Sequence, residues 1–95
     1  MSKRKKKVKD EEHKKKILEV TAILQNISQT TIIPRNIRRT ADSAIETLRN
    51  EDLTPGVRAA NAVSILNGIL HDPNMPSFAR VKIWNVIGML ETIQD

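Results

Sequence analysis

The side chains that could take part in catalysis are few and far apart in this sequence. The histidines are His13, in a lysine-rich segment, and His71, at the end of a predicted helix, and the chain has no cysteine. There is no glycine-rich phosphate loop, and the scattered carboxylates do not match the spacing of a metal site. His71 suits the negative end of a helix dipole, and Glu51 and Asp52 suit the positive end of the next helix. The sequence therefore predicts a non-catalytic protein that needs no metal, cofactor or small-molecule substrate.

Basic side chains are concentrated in two places where they could bind phosphate. Residues 1–16 carry nine Lys/Arg against three Asp/Glu, whereas residues 17–95 carry seven against eight. A basic arm on a nearly neutral body is typical of tails that contact nucleic acids or acidic surfaces. The second group lies at a predicted helix start, where backbone N–H groups and arginine together favour an anion. The candidate nucleic-acid-binding residues are Lys3, Arg4, Lys5, Lys6, Lys7, Lys9, Arg35, Arg38 and Arg39.

The kind of nucleic-acid recognition is limited by the aromatic content. Phe78 and Trp84 are the only aromatic side chains apart from histidine, so stacking on splayed bases is not expected. Recognition of the phosphate backbone and of duplex shape is the remaining mode. We therefore expect structured RNA or a ribonucleoprotein, such as the ribosome, as partner, with DNA as the less favoured choice. For the arginine group, a solvated surface with a partial Arg38–Asp42 ion pair is the alternative.

The last predicted helix carries apolar side chains on more than one face. Phe78, Val81 and Trp84 fall largely outside its main apolar stripe, and Gly88 lies on the same outer side. Such a helix is either central in the fold or covered by a partner. The first case is a wide core face around a large tryptophan. The second makes these three residues a partner interface, for a homodimer or another protein, and the chain an interaction module without a nucleic-acid role.

A repeat of 21 residues organises the chain. Pro34, Pro55 and Pro76 are spaced by 21 residues, and an apolar residue follows each proline at the same distances. A fixed period of this kind indicates one supersecondary unit used again, and proline is favoured at the first position of a helix. Extending the register backward predicts a fourth unit before Pro34. The predicted helices span residues 11–28, 34–49, 55–70 and 76–93.

Short polar links between these helices make consecutive helices antiparallel neighbours. The expected fold is an all-α, four-helix up-and-down bundle over residues 11–95. Two stacked helix pairs of an α-solenoid are the alternative, disfavoured because solenoids usually need three repeats. Asp10 is the expected N-cap of the first helix, and residues 1–10 form a lysine-rich arm. Residues 1–9 are expected to be disordered, because Val8 is their one apolar residue after Met1 and little burial offsets the ordering entropy.

The sequence also bears on the compartment. The basic start is followed by Asp10 and two glutamates rather than by the apolar region of a secretory signal. No stretch approaches the roughly 20 apolar residues of a membrane span. The lack of cysteine fits a reducing compartment. These features together predict a cytoplasmic protein without a membrane association.

Three segments carry a resemblance to a known family. They are "TTIIPRNIRRTADSAIETL", "NEDLTPGVRAANAVSIL" and "DPNMPSFARVKIWNVIGMLE". With these segments the chain resembles a small archaeal family of all-helical proteins that has no assigned function. The resemblance covers roughly residues 17–95, and the lysine-rich arm is less characteristic of the family. It implies a four-helix bundle and brings no activity, cofactor or catalytic residue to this chain.

Overall fold

A computed structural model describes the backbone of residues 3–95 and the side chains of residues 10–95. Over this part of the chain there are four α-helices and no β-strand. The helices are α1 (Lys3–Gln29), α2 (Arg35–Leu48), α3 (Pro55–Asn67) and α4 (Ser77–Glu91). The all-helical class and the number and order of the helices, as predicted from the 21-residue register, are confirmed.

The helices form a closed ring in which each one packs on two others. Contacts join α1 to α2, α2 to α3, α3 to α4 and α4 back to α1. The α1–α4 pair is antiparallel. Lys16 and Asn26 of α1 are ten residues apart, and their hydrogen-bond partners, Thr92 and Lys82, follow the opposite order along the chain. A ring closed by the first and last helices is the arrangement of an up-and-down bundle rather than of stacked solenoid pairs.

The core lies at the positions that the repeat predicts. The side chains eleven and fourteen residues after each proline are all buried, and they are Ile45, Leu48, Leu66, Ile69, Ile87 and Leu90. The first helix contributes Val20, Leu24 and Ile27, each with no exposed surface. Burial of these large aliphatic groups in one cluster supplies the main stabilising term of the fold. The core is therefore aliphatic, and neither aromatic side chain belongs to it.

The prolines act at helix starts in two different ways. Pro55 is the first residue of α3, and its N-cap Thr54 accepts a hydrogen bond from the Val57 N–H at 3.4 Å. Pro34 and Pro76 instead stand one position earlier, as N-caps with extended backbone (ψ of 146° and 145°). The prediction of proline as first helical residue is thus right for one repeat and wrong by one residue for the other two. In those two cases the φ of the proline suits a helix, but its ψ is extended, so the helix begins at the next residue.

The start of α1 differs most from the sequence-based expectation. α1 begins at Lys3, seven residues before Asp10, so Asp10 is inside the helix and is not its N-cap. Lysine and arginine are good helix formers, and residues 3–16 contain no glycine or proline that would stop the helix. The expected disorder of residues 1–9 in the free protein and the domain boundary after residue 10 stay predictions. Met1 and Ser2 lie outside the described residues.

As a consequence α1 is much longer than its neighbours. Its 27 residues make a helix of about 40 Å at 1.5 Å per residue. The most N-terminal buried side chain of the described set is His13. The ten helical residues before it span about 15 Å, which accords with the 48 × 22 × 19 Å extents of the molecule. The lysine-rich segment from Lys3 onward therefore extends α1 beyond one end of the bundle.

Candidate nucleic-acid interface and partner surface

The two groups of predicted phosphate ligands lie at opposite ends of the bundle. The basic arm is at the N-terminal end of α1, whereas Arg35, Arg38 and Arg39 open α2, which follows the C-terminal end of α1. Along α1, the 20 residues from Lys9 to Gln29 correspond to about 30 Å. The fold of one chain therefore does not bring the arm and the arginine group together. The side chains of Lys3, Arg4, Lys5, Lys6, Lys7 and Lys9 lie outside the described ones.

Arg38 has a structural role that the sequence analysis did not predict. Its Nε donates a hydrogen bond to the Ile33 carbonyl oxygen at 2.9 Å, across the loop between α1 and α2. Arg38 as a whole is half-buried. Arg38 therefore holds the α1–α2 loop through this bond. Its predicted contact with nucleic acid stays a prediction.

Arg58 and Arg80 repeat this arrangement at the next two loops. Arg58 Nε donates to the Leu53 carbonyl at 2.8 Å, and Arg80 Nε donates to the Leu70 carbonyl at 3.1 Å. A second nitrogen of Arg80 donates to the Asp72 carbonyl at 3.0 Å. Helix ends and turns leave backbone carbonyls without intrahelical partners, and a side chain that reaches them stabilises the chain there. Arg38, Arg58 and Arg80 are called the loop arginines below.

Arg35 and Arg39 differ from the loop arginines because both are exposed. They stand at the start of α2, whose N-cap Pro34 makes no side-chain hydrogen bond to the first helical N–H groups. The first turn of α2 contains no acidic side chain either. Backbone N–H groups at such a helix start carry partial positive charge and attract anions. Arg35 and Arg39 thus lie beside a helix start that no described side chain caps.

The surroundings of this helix start are also basic. The Asn36 side chain donates a hydrogen bond to the Asp72 carboxylate at 2.9 Å, which joins the start of α2 to the α3–α4 loop. Residues 30–39 and 68–82, which meet here, contain five Lys/Arg, whereas Asp72 is their single acidic residue. The other ten of the chain's eleven Asp/Glu residues lie outside these two segments. The surface of residues 30–39 and 68–82 is called the loop end below.

The predicted partner-interface residues are exposed on α4. Phe78, Val81 and Trp84 are 43%, 58% and 53% exposed, whereas the opposite side of α4 is buried in the core. The Lys82 ammonium lies 6.0 Å from the centre of the Phe78 ring, a distance at which a cation–π attraction acts. The alternative of a wide core face around Trp84 is wrong, because this side chain is about half exposed and lies outside the core cluster. The partner role of these residues stays a prediction.

A surface groove that the sequence analysis did not predict lies between α1 and the α2–α3 loop. It has a volume of about 780 Å³, and its apolar lining includes Ile17, Leu18, Leu48 and Pro55. Leu18 is 65% exposed. Its position outside the apolar stripe of α1 is the one feature of the sequence that could have indicated the groove. The rim mixes acidic and basic side chains, so its charge does not select an anion or a cation. The groove therefore carries no functional assignment.

The two histidines lie in different surroundings and far apart along the bundle. His13 is 7% exposed, although it lies in the lysine-rich segment of the sequence, whereas His71 is exposed in the turn after α3. Among residues that the structure describes, no cluster of three or more His, Cys, Asp or Glu side chains could hold a metal ion. No helix within residues 3–95 is both long and apolar enough to cross a membrane. His13 burial follows from its position one turn before Ile17 on the core face of α1.

A family model matches residues 3–93, which is nearly the whole chain. The protein belongs to the uncharacterised protein family UPF0147. The matched range includes most of the lysine-rich arm as well as the bundle, so the arm falls inside the family's length. The resemblance drawn from the segments around Pro34, Pro55 and Pro76 is confirmed.

The relatives of this UPF0147 chain are archaeal. A UPF0147 protein of Sulfurisphaera tokodaii is 52% identical over 80 residues, which cover 84% of this chain and 90% of the relative. One of Desulfurococcus amylolyticus is 56% identical over 73 residues, covering 77% of this chain and 80% of the relative. Identity of this extent over most of both chains indicates the same fold and core.

Two crystal structures share the fold. The structure of MMP1188, a protein of unknown function, has a TM-score of 0.82 at 41% identity and covers 84% of this chain and 91% of its own. A UPF0147 protein from Thermoplasma acidophilum has a TM-score of 0.80 at 28% identity, covering 85% and 95%. The four-helix arrangement is thus shared with experimentally determined structures of similar length.

Proposed function

We propose that this UPF0147 protein is a non-catalytic, cytoplasmic protein that binds structured RNA, free or in a ribonucleoprotein, through the phosphate backbone. The observation that carries the proposal is the loop end, where Arg35 and Arg39 are exposed beside an uncapped helix start. A phosphate there would accept hydrogen bonds from guanidinium forks and from backbone N–H groups together. Duplex DNA is the less favoured ligand of the same chemistry.

The lysine-rich start of α1 supplies the second part of the proposed contact. Residues 3–9 carry six Lys/Arg and no acidic residue, on a helix that extends past the buried His13. Flexible lysine ammonium groups attract phosphates without selecting a base sequence. The arm would therefore raise the affinity for many nucleic acids, whereas the guanidinium groups of the loop end, with their fixed fork geometry, would orient the protein on its ligand.

The test measures the binding of a labelled RNA duplex as salt is varied around ~150 mM, where screening is already strong. If about six phosphates are neutralised, the logarithm of the association constant falls against log salt with a slope near −5. Removal of residues 1–9 is expected to flatten the slope and to weaken binding to all sequences alike. Arg35→Ala and Arg39→Ala are each expected to reduce the slope by about one.

Arg49→Ala is the matched control. Arg49 is exposed like Arg35, but it is the C-cap residue just after α2, at the other end of the helix. It lines the groove beside Asp10, Glu11 and Glu51, whose carboxylates disfavour a phosphate there. Its replacement should leave the binding constant nearly unchanged. The proposal fails if arm removal and the Arg35 and Arg39 replacements all leave affinity unchanged at ~150 mM salt, or if purification from native cells retains no RNA.

A protein-interaction module is the second candidate, and the exposed Phe78, Val81 and Trp84 support it. The two candidates differ in their response to ribonuclease. Co-purified partners that are lost after RNase treatment support the RNA proposal. Partners that remain bound after the treatment support the interaction module instead.

A further inference from the structure

The outer face of α4 carries exposed apolar side chains. It is formed by Phe78, Val81, Trp84 and Gly88, and the last three recur at the i, i+3 and i+7 spacing of one helix face. The side chains of Phe78, Val81 and Trp84 are each more than two-fifths exposed. Neighbouring exposed apolar groups on one helix face are typical of a surface that a partner covers.

Gly88 is the feature that points to close helix packing. Glycine destabilises the interior of a helix because it loses more backbone freedom on folding than other residues. In this chain a Cβ added at Gly88 would meet nothing within 4 Å, and its φ is not positive. Neither the packing nor the backbone of the folded chain therefore requires glycine at this position. A missing side chain on an exposed face instead provides a notch into which a large side chain of another helix fits.

The face supplies that large side chain itself. In an antiparallel pair of α4 helices related by a twofold axis at the level of Val86, Trp84 of each copy lies opposite Gly88 of the other. The tryptophan then packs over the notch, and it does so twice because the contact is isologous. Alternation of large and small residues across facing positions is how helices interdigitate closely.

The charges of α4 favour the same antiparallel arrangement. Residues 76–83 contain Arg80 and Lys82 and no acidic residue, whereas residues 84–95 contain Glu91 and Asp95 and no basic one. An antiparallel pair sets the basic half of each copy against the acidic half of the other, and it also opposes the helix dipoles. A parallel pair would set like charges side by side. The two halves of α4 thus carry opposite charge, although Arg80 and Asp95 are also hydrogen-bonded within their own chain.

We propose that the protein forms a twofold-symmetric dimer through the outer face of α4, with Trp84 of each copy packed against Gly88 of the other. The occupant of the exposed face is a second copy of this chain. The size complementarity of Trp84 and Gly88 is internal to the face, and the opposite charges lie on the two halves of the same helix, as self-association about a twofold axis requires.

The dimer has a consequence that rests on the proposed RNA function. The C-terminal end of α4 lies at the arm end of the bundle, since Thr92 bonds Lys16. Antiparallel pairing therefore puts the arm of one copy at the same end as the Arg35 and Arg39 pair of the other. The two basic groups, about 30 Å apart along α1 in one chain, would then act together at each end of the dimer.

Sedimentation of the full-length protein from ~10 µM to ~1 mM, the range of weak to moderate association, tests the dimer directly. Wild type should convert from monomer to dimer with rising concentration and should form nothing larger, because a twofold contact closes at two copies. Trp84 is the single tryptophan, so its emission should shift to shorter wavelength over the same range as the indole loses water contact. A wild type that stays monomeric throughout, or that grows beyond a dimer, overturns the proposal.

Two variants separate dimerisation from folding. Gly88→Leu fits the monomer, because nothing lies within 4 Å of the added Cβ, but it fills the notch. Trp84→Ala removes the side chain that enters it. Each should weaken the dimer by about tenfold or more, as truncation of a central tryptophan does, without lowering the melting temperature of the monomer.

Ile32→Ala is the matched control, since Ile32 is even more exposed (74%) but lies in the α1–α2 loop. It should dimerise like wild type. Dimerisation of Gly88→Leu at the wild-type concentration would overturn the proposal. The double variant Arg35→Ala plus Arg39→Ala should dimerise like wild type and bind RNA less tightly. If the wild type dimerises but binds no RNA, the RNA proposal fails and the dimer proposal stands, so the two failures are distinguishable.

Discussion

The side-chain carboxylate of Asp95 accepts a hydrogen bond from the backbone N–H of Gly56 at 2.8 Å, so the last residue holds the start of α3. The Thr54 hydroxyl donates to the other carboxylate oxygen. A negative group at a helix N-terminus is favoured by the helix dipole and by the unsatisfied N–H groups there. Gly56 is part of this contact, because a Cβ at that position would lie 2.7 Å from the Asp95 Cγ and 2.9 Å from its backbone nitrogen.

Gly56→Ala is therefore expected to displace Asp95 and to lower the free energy of unfolding by about 1–2 kcal/mol, the size of a lost helix cap. Chemical denaturation at neutral pH measures this. Gly88→Ala is the control, because its added methyl group meets nothing within 4 Å. It should raise the stability of the monomer by up to about 1 kcal/mol through the better helix propensity of alanine. Equal effects of the two substitutions would show that Asp95 is not displaced.

The loop arginines should matter more for stability than the exposed ones. Arg80→Met keeps much of the apolar stem but loses the hydrogen bonds to the carbonyls of Leu70 and Asp72. We expect a loss of about 1–3 kcal/mol in the free energy of unfolding, because half-buried carbonyls lose a charged donor. Arg39→Met, at an exposed position, should change it by less than about 0.5 kcal/mol. Similar values for the two variants would contradict the structural role of Arg80.

Leu66 tests the register of the repeat. It is fully buried in the core, and Leu66→Ala should cost about 2–5 kcal/mol, as truncations of buried leucines do. Leu18→Ala removes the same atoms from a side chain that is mostly exposed, and it should cost far less. Thermal and urea unfolding of the two variants provide the comparison. A cost below about 0.5 kcal/mol for Leu66→Ala would mean that the core lies elsewhere.

Residues 3–9 form the first turns of α1 in the structure, whereas their mobility in the free protein in solution is a separate prediction. Residues 3–9 contain Val8 as their one apolar residue, so little burial is available to offset the entropy of ordering them. Backbone amide order parameters below about 0.6 are expected there, against about 0.85 in the bundle. Rigid-backbone values throughout residues 3–7 would contradict the prediction. Residues 20–27 of the same helix, which contribute to the core, are the internal control.

The sequence by itself determined which faces of the helices form the core. The 21-residue spacing of Pro34, Pro55 and Pro76 sets a register in which Leu48, Leu66 and Leu90 are buried as predicted. Helical periodicity is a local property, since the face that a residue occupies depends only on its position within its own helix. Short links then made the neighbours antiparallel, so the bundle followed as well.

Tertiary structure decided what the polar residues do. Arg35 and Arg38 look alike in the sequence, yet Arg38 reaches back to the Ile33 carbonyl whereas Arg35 stays exposed. Likewise the pairing of Asp95 with Gly56, and the separation of the arm from the arginine group, depend on how distant segments meet. Hydrogen bonds are short and directional. Their partners are therefore chosen by the three-dimensional path of loops and helix ends, which periodicity does not encode.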